Sequence, residues 1–344
     1  MKELSDISVK ISNEEYFNGP EMHHSTISTF DREGFACLAT LFDTKESPSL
    51  TFGSAVDCLI TDGQQAFDNE FVVSDCVISD KLNKAITTLW KTYGLAYNLR
   101  DIPTNAILSV YEEAELDSRT KDLHKRIAKI YEGQEYYNLL CNSSGKKIIS
   151  SEVYNTVQRT VATLKESPET RNYFAPNDVF NADIKRYYQL KFKATLNNIE
   201  YAVMADELIV DYKHKIIVPI DLKTSSNKEY DFAKSFIHWG YSHQARLYWR
   251  VIRACLDKDD FFKDFELKDY LFIVINKESL HPVVWEYKDT KKEGSLFYGK
   301  NNQIEVRDPE EIAHELNSYI VNPTEVPSGI ISGKNDLIVW LNKM

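Results

Sequence analysis

Through the first half of the chain the apolar residues recur at helical spacing, and in the second half they alternate or run together as strands do. Phe30, Phe35, Leu38, Leu41 and Phe42 predict an early helix, with Ser28 or Thr29 as its cap. Thr44–Ser49, which holds Pro48, reads as a loop, and Phe52–Ile60 as an apolar segment whose Gly53 and Ala55 would let a helix approach another backbone closely. Leu82, Ile86, Leu89, Trp90 and Tyr93 follow helical spacing, as do Leu123, Ile127, Ile130 and Tyr131. After a turn at Asn142-Ser143-Ser144-Gly145, capping by Ser150 or Ser151 opens a helix carrying Val153, Tyr154, Val157, Val161 and Leu164, which ends near Pro168.

The pattern changes at Tyr187. Tyr187–Thr195 reads as a strand, followed by Tyr201–Asp211 and Ile216–Leu222, two strands joined by the polar tip Lys213-His214-Lys215. Ser225–Tyr230 is a polar loop, and one long helix is expected from about Asp231 to Leu256. Strands at Tyr270–Asn276 and Val283–Tyr287 follow, then a helix over Pro309–Ile320, a Pro/Gly/Ser loop and a short apolar segment, Leu337–Leu341. Strands, helix, strands in that order predict an α/β fold with a central mixed sheet flanked by helices. There is no internal repeat.

Charges at the end of the apolar strand Ile216–Leu222 need a reason, because a charge leaves water at a cost unless it is paired or binds a metal. Side chains alternate along a strand, so Asp221 and Lys223 point to one side. Asp206, in the neighbouring strand, could face Asp221 across the hairpin. Two converging carboxylates form a hard-oxygen site suited to Mg2+ or Mn2+. A lysine beside them could orient or deprotonate a water and offset charge building on a phosphate. The plain alternative is a surface hairpin with a solvated Asp–Lys pair. Tyr241, Gln244 and Tyr248 share one helix face, either as part of such a site or packed on the sheet.

Composition narrows the setting. A net charge of −11 argues against a protein that coats nucleic acid by general electrostatics, but not against an enzyme that is basic only inside a channel. No run of about 18 apolar residues is present, so no membrane partner is expected. The opening MKELSDISVKIS lacks the apolar stretch of a signal peptide. Five scattered cysteines without a C-x-x-C pair read as reduced thiols of a cytoplasmic protein. Phosphate-binding glycine loops and the G-x-S-x-G elbow are missing, which removes support for ATP-driven, NAD-dependent or covalent hydrolase chemistry. His23, His24 and His281 have no partner at ligand spacing.

Asp206, then Asp221-Leu222-Lys223, then Gln244-x-x-x-Tyr248 on the next helix together resemble the PD-(D/E)xK nuclease superfamily. The likeness is to its phage and recombination branch, similar to exodeoxyribonuclease VIII and more distantly to the lambda-type exonuclease and the RecB nuclease domain. The polar segment Ser25–Phe30 and the helix before Ser167-Pro168 fit that branch as well, so the resemblance spans roughly residues 20–290.

The resemblance implies a restriction-endonuclease-like core in a single nuclease domain, 1–344. Within it, 20–75 would be N-terminal helices of the fold, 80–170 a helical insertion, 185–290 the catalytic α/β core and 300–344 a C-terminal extension. It implies Asp206 and Asp221 as ligands of Mg2+ (or Mn2+) with the Leu222 carbonyl, Lys223 acting on the attacking water, and Gln244 and Tyr248 steadying phosphates or the site. Three positions depart from the family pattern. Asp57 stands where a histidine ligand is usual and could itself bind the metal; Gln189 stands near the place of a glutamate; and Ala205 replaces a proline.

The activity implied is a Mg2+-dependent exodeoxyribonuclease, 5′-to-3′ on duplex DNA ends in phage-type recombination. Its expected partners are DNA and a single-strand annealing protein, in a ring-shaped homo-oligomer, in the cytoplasm of a bacterium or phage-infected host. The competing readings are a catalytically decayed relative serving as a DNA-binding or assembly module, and a structure-selective endonuclease of the same superfamily.

Overall fold

The computed structural model describes residues 2–42, 47–76, 78–94, 98–143, 145–177, 183–288, 294–298 and 302–321, with backbone alone for 294–298 and 302–305. The expected terminal segment Leu337–Leu341 lies outside them. The chain forms two compact units: Met1–Ser47 with Thr160–Met344, and Pro48–Arg159, the boundary falling inside the helix Ser151–Glu166.

The first unit is built on a mixed sheet. Its strands are β1 (Ile184–Leu196), β2 (Ile199–Asp211), β3 (Ile216–Ser225), β4 (Tyr270–Asn276) and β5 (Pro282–Tyr287), side by side in that order. All neighbours are antiparallel except β3 and β4, which run parallel. A parallel pair needs a crossover. Here it is supplied by two helices, α2 (Phe232–His238) and α3 (Tyr241–Asp257), in place of the single helix expected over 231–256. The break is chemical: Gly240 sits at φ +64°, a left-handed conformation that glycine adopts without steric cost. A Cβ there would lie 2.9 Å from both Ser28 Oγ and His243 Nδ1, so the close approach also requires glycine.

Two further helices, α1 (His24–Glu33) and α4 (Pro309–Val321), pack with α3. The helix α1 starts earlier than expected, with His23 rather than Ser28 or Thr29 at its N-cap, and Gly34 at φ +61° ends it. Met22 forms an isolated bridge with Tyr201 of β2, and this contact to the sheet holds the chain extended just ahead of His24. Phe30, Phe192, Tyr201, Val203, Leu247, Val251, Ile252 and Phe272 are buried in one core. Each such side chain contributes about 1.5–3 kcal/mol of transfer free energy.

The second unit is mainly helical. Pro48 opens a helix through Thr61 where a loop was expected, consistent with proline's tolerance in a first helical turn. Leu82, Ile86 and Leu89 of Asp80–Tyr93 pack with Ile107, Val110, Ile130 and Tyr137 around a separate core. A short parallel pair, Phe71–Val73 with Lys147–Ile149, completes it.

Candidate active site

Two irregularities of the sheet create the site. The β2–β3 ladder runs from Asp211↔Ile216 to Glu207↔Ile220 and stops there, while β3 continues to Ser225 paired with β4. Continuing that register places Asp206 opposite Asp221, at the point where β2 and β3 part. Asp206 Oδ2 accepts from the Leu222 N–H at 3.0 Å, spanning the gap the ladder leaves.

The second irregularity is in β1. Tyr188 pairs with Glu207 and Leu190 with Ala205, but Gln189 and Asp206 between them leave the ladder, and Gln189 takes φ +52°. Alternation slips here in both strands. Ala205 and Leu208, and likewise Tyr187 and Leu190, feed the same core although each pair is three apart. A left-handed non-glycine residue beside a carboxylate is backbone strain of the kind that concentrates at functional sites.

Around this opening the first unit gathers several groups. Lys223 Nζ lies 2.6 Å from Asp221 Oδ2, and the ammonium also sits 4.8 Å from the centroid of the Tyr241 ring. Gln244 Nε2 donates to Asp221 Oδ1 from the first turn of α3. One turn on, Tyr248 hydrogen-bonds Tyr16, and its ring meets Tyr270 edge-on at 6.1 Å. His24 Nε2 is 3.2 Å from the Gly240 carbonyl, with its ring edge-on to Tyr248 at 6.4 Å. Asp206, Asp221, Lys223, Gln244 and Tyr248 are therefore brought together. Asp57 lies half-buried on the helix Pro48–Thr61 of the other unit.

The electrostatics follow from burial. Asp221 is 1% exposed, and desolvation raises its pKa in spite of Lys223, Gln244 and Asp206. Desolvation works against the Lys223 cation, but Asp221, Tyr241 and Asp206 outweigh it and raise its pKa. Burial also raises Tyr248 and Tyr270 well above the usual phenol range, with the two aspartates adding to it, so both are hydroxyl donors rather than phenolates. Burial and then the Lys223 cation push the His24 imidazole down to about 3, leaving it neutral near pH 7. Next to the site, burial pushes the Glu207 carboxyl up to about 8, against the opposing pull of Arg186 and a hydrogen bond with Tyr188.

The donor set suits a hard divalent cation. Asp206 and Asp221 supply carboxylates, and the Gln244 Oε1 is buried with no hydrogen-bond partner. Among the described residues, no group of three or more His, Cys, Asp or Glu side chains gathers that could hold a metal. An ion at the pair would complete its shell with carbonyl, water or substrate oxygens, as Mg2+ commonly does. Reading the sequence missed Tyr16 and Tyr270, and set His24 aside for want of a partner at ligand spacing; no local pattern brings any of the three to Asp221 and Lys223.

No protein-family model and no curated protein matches the chain. Among solved structures, it is similar to a crystal structure of a "putative exonuclease" from Eubacterium rectale. The two share 12% identity at a TM-score of 0.43, covering 91% of this chain and 85% of that one. The function therefore rests on the residues themselves. Among the described residues no helix is long and apolar enough to cross a membrane.

Proposed function

We propose that the protein is a Mg2+- or Mn2+-dependent deoxyribonuclease of PD-(D/E)xK type with a restriction-endonuclease-like core. The observation that carries this is the meeting of Asp206 and Asp221 where β2 and β3 separate, with Lys223 Nζ 2.6 Å from Asp221. Asp206, Asp221 and the Leu222 carbonyl would hold the cation. When bound, it polarises the scissile phosphate and makes a water more acidic. Lys223, kept charged by its neighbours, faces the phosphate as a fixed cation and orients the attacking water. Gln244 fixes the orientation of Asp221, and Tyr248 and Tyr270 add hydroxyl donors behind the carboxylates. The resemblance to the phage recombination branch supports the finer reading: 5′-to-3′ digestion of duplex ends, a single-strand annealing partner and a ring-shaped homo-oligomer.

The test is release of nucleotides from linear duplex DNA labelled separately at 5′ and 3′ ends. Cleavage should need Mg2+ or Mn2+, vanish in Asp221→Asn and spare closed circular DNA. Cutting of the circle would favour the endonuclease reading, and equal activity of Asp221→Asn would defeat the site. That no three His, Cys, Asp or Glu side chains among the described residues gather to hold a metal favours one other reading, a decayed DNA-binding module. Such a protein would bind DNA yet show no carboxylate-dependent uptake of Mn2+.

A further inference from the structure

Two aromatic rings stand in solvent at the ends of α2. Trp239, directly after the helix, is 47% exposed, and Tyr230, two residues before it, is 72% exposed. Each carries a cation on its ring. The Arg32 guanidinium lies 5.2 Å from the Trp239 centroid, and Lys228 Nζ lies 5.9 Å from that of Tyr230. From α2 the rings lead inward: the buried Phe232 packs nearly parallel on Tyr241 at 5.9 Å, and Tyr241 lies under Lys223 at 4.8 Å. Trp239 also adjoins Gly240, whose carbonyl accepts the N–H groups of His243 and Gln244 at the start of α3. Trp239 thus stands in solvent directly before the turn that carries Gln244 to Asp221.

An aromatic ring with a cation on one face and solvent on the other is a platform for a nucleic-acid base. The cations here are partly balanced, Arg32 by Glu33 at 2.7 Å and Lys228 by the charge of neighbouring Glu229, so phosphate attraction is weak locally. Stacking on bases is the recognition that remains to a chain of net charge −11. Bases inside a duplex have their faces covered by their neighbours; unpaired ones do not. Nine positions of mostly helical chain separate the rings, about two and a half turns, so they stand near opposite sides of α2 as separate platforms.

We infer that Trp239 and Tyr230 form a stacking rim for unpaired bases of a DNA strand whose phosphate is presented to Asp221 and Lys223. The rim deepens the nuclease reading and, in its link to cleavage, rests on it. The experiment is fluorescence anisotropy of labelled oligo(dT) with the full chain in EDTA, so that no cleavage intervenes. Trp239→Ala and Tyr230→Ala should each weaken binding about tenfold. Trp239→Phe should bind near the parental level, and parent and Trp239→Ala should converge on an abasic oligonucleotide. Parental affinity in both alanine variants, or an equal loss in Trp239→Phe, would overturn the rim, as would an equal loss on the abasic strand. Divalent-dependent cleavage of linear duplex by the parent, compared with Asp221→Asn, reads the underlying site separately, so either idea can fail while the other stands.

Discussion

Helix α3 touches two buried charge clusters built from similar parts, and they behave oppositely. At Arg250, the guanidinium grips Asp308 through two bonds of 2.6 and 2.8 Å (one to each carboxylate oxygen) and reaches Glu310 at 2.7 Å. Burial acts to raise Asp308, yet those bonds hold its carboxyl below the usual range. At Asp221 a lysine, an amide and the Asp206 carboxyl meet the carboxylate, and burial still wins. Each cluster sets one cation against two carboxylates, but the Arg250 guanidinium is a planar donor matched to its acceptors. The Asp206–Asp221 pair lacks such a donor and is held where burial disfavours its charge, which is what a cation would relieve.

That contrast can be broken by paired substitutions. Asp221→Ala should abolish divalent-dependent DNA cleavage, a fall of more than about 1,000-fold given how much electrostatic groups contribute in such sites, while circular dichroism stays parental. Arg250→Ala should do the reverse. It leaves Asp308 buried without its partner and should cost about 3 kcal/mol in urea unfolding, with cleavage per folded molecule maintained. If Arg250→Ala silences cleavage at full stability, or Asp221→Ala unfolds the protein, the two clusters are not the different things described above.

Gly240 links the fold to the site and gives a middle-sized effect. Gly240→Ala imposes a left-handed alanine and drives a methyl group toward Ser28 and His243. We expect about 2 kcal/mol of destabilisation together with weaker cleavage, because Gln244 sits in the turn that Gly240 begins. Wild-type stability in thermal melts would contradict the account of the helix break.

Much of this was legible in the sequence, and the rest was hidden for identifiable reasons. Strand alternation placed Asp221 beside Lys223, and the polar tip Lys213–Lys215 set a hairpin in which Asp206 falls opposite Asp221. The slip at Gln189 was not legible, since a non-glycine residue gives no sign that its backbone will turn left-handed. The break at Gly240 was missed because a lone glycine inside a helical pattern is usually tolerated. Tyr16 and His24 reach the site from the far end of the chain through tertiary packing, which no local pattern encodes. Ser28 looked like a cap but lies inside α1, because the sheet contact at Met22 starts the helix earlier.

The smallest expected effect concerns acid stability. Burial depresses the imidazoles of His23, His24 and His243. Above the ordinary value of 6.5 each is neutral in both folded and unfolded chains and contributes nothing to the pH dependence. Below it the unfolded chain takes up protons that the folded one refuses. Stability should therefore fall as pH drops from 6.5, toward about 3 for His24. The urea midpoint should be lower at pH 5 than at pH 7.5, and His23→Phe should recover about 1 kcal/mol of that loss. An unchanged pH dependence in the variant would show that His23 is solvated.

The most direct measurement is calorimetric titration of the full chain with Mn2+, beside Asp206→Asn, Asp221→Asn and Arg250→Met. The parent and Arg250→Met should take up the ion alike, and either aspartate variant should lose that uptake. Binding that survives both Asp206→Asn and Asp221→Asn, or a parent that binds no Mn2+ at all, would contradict the claim that these two carboxylates form a metal site.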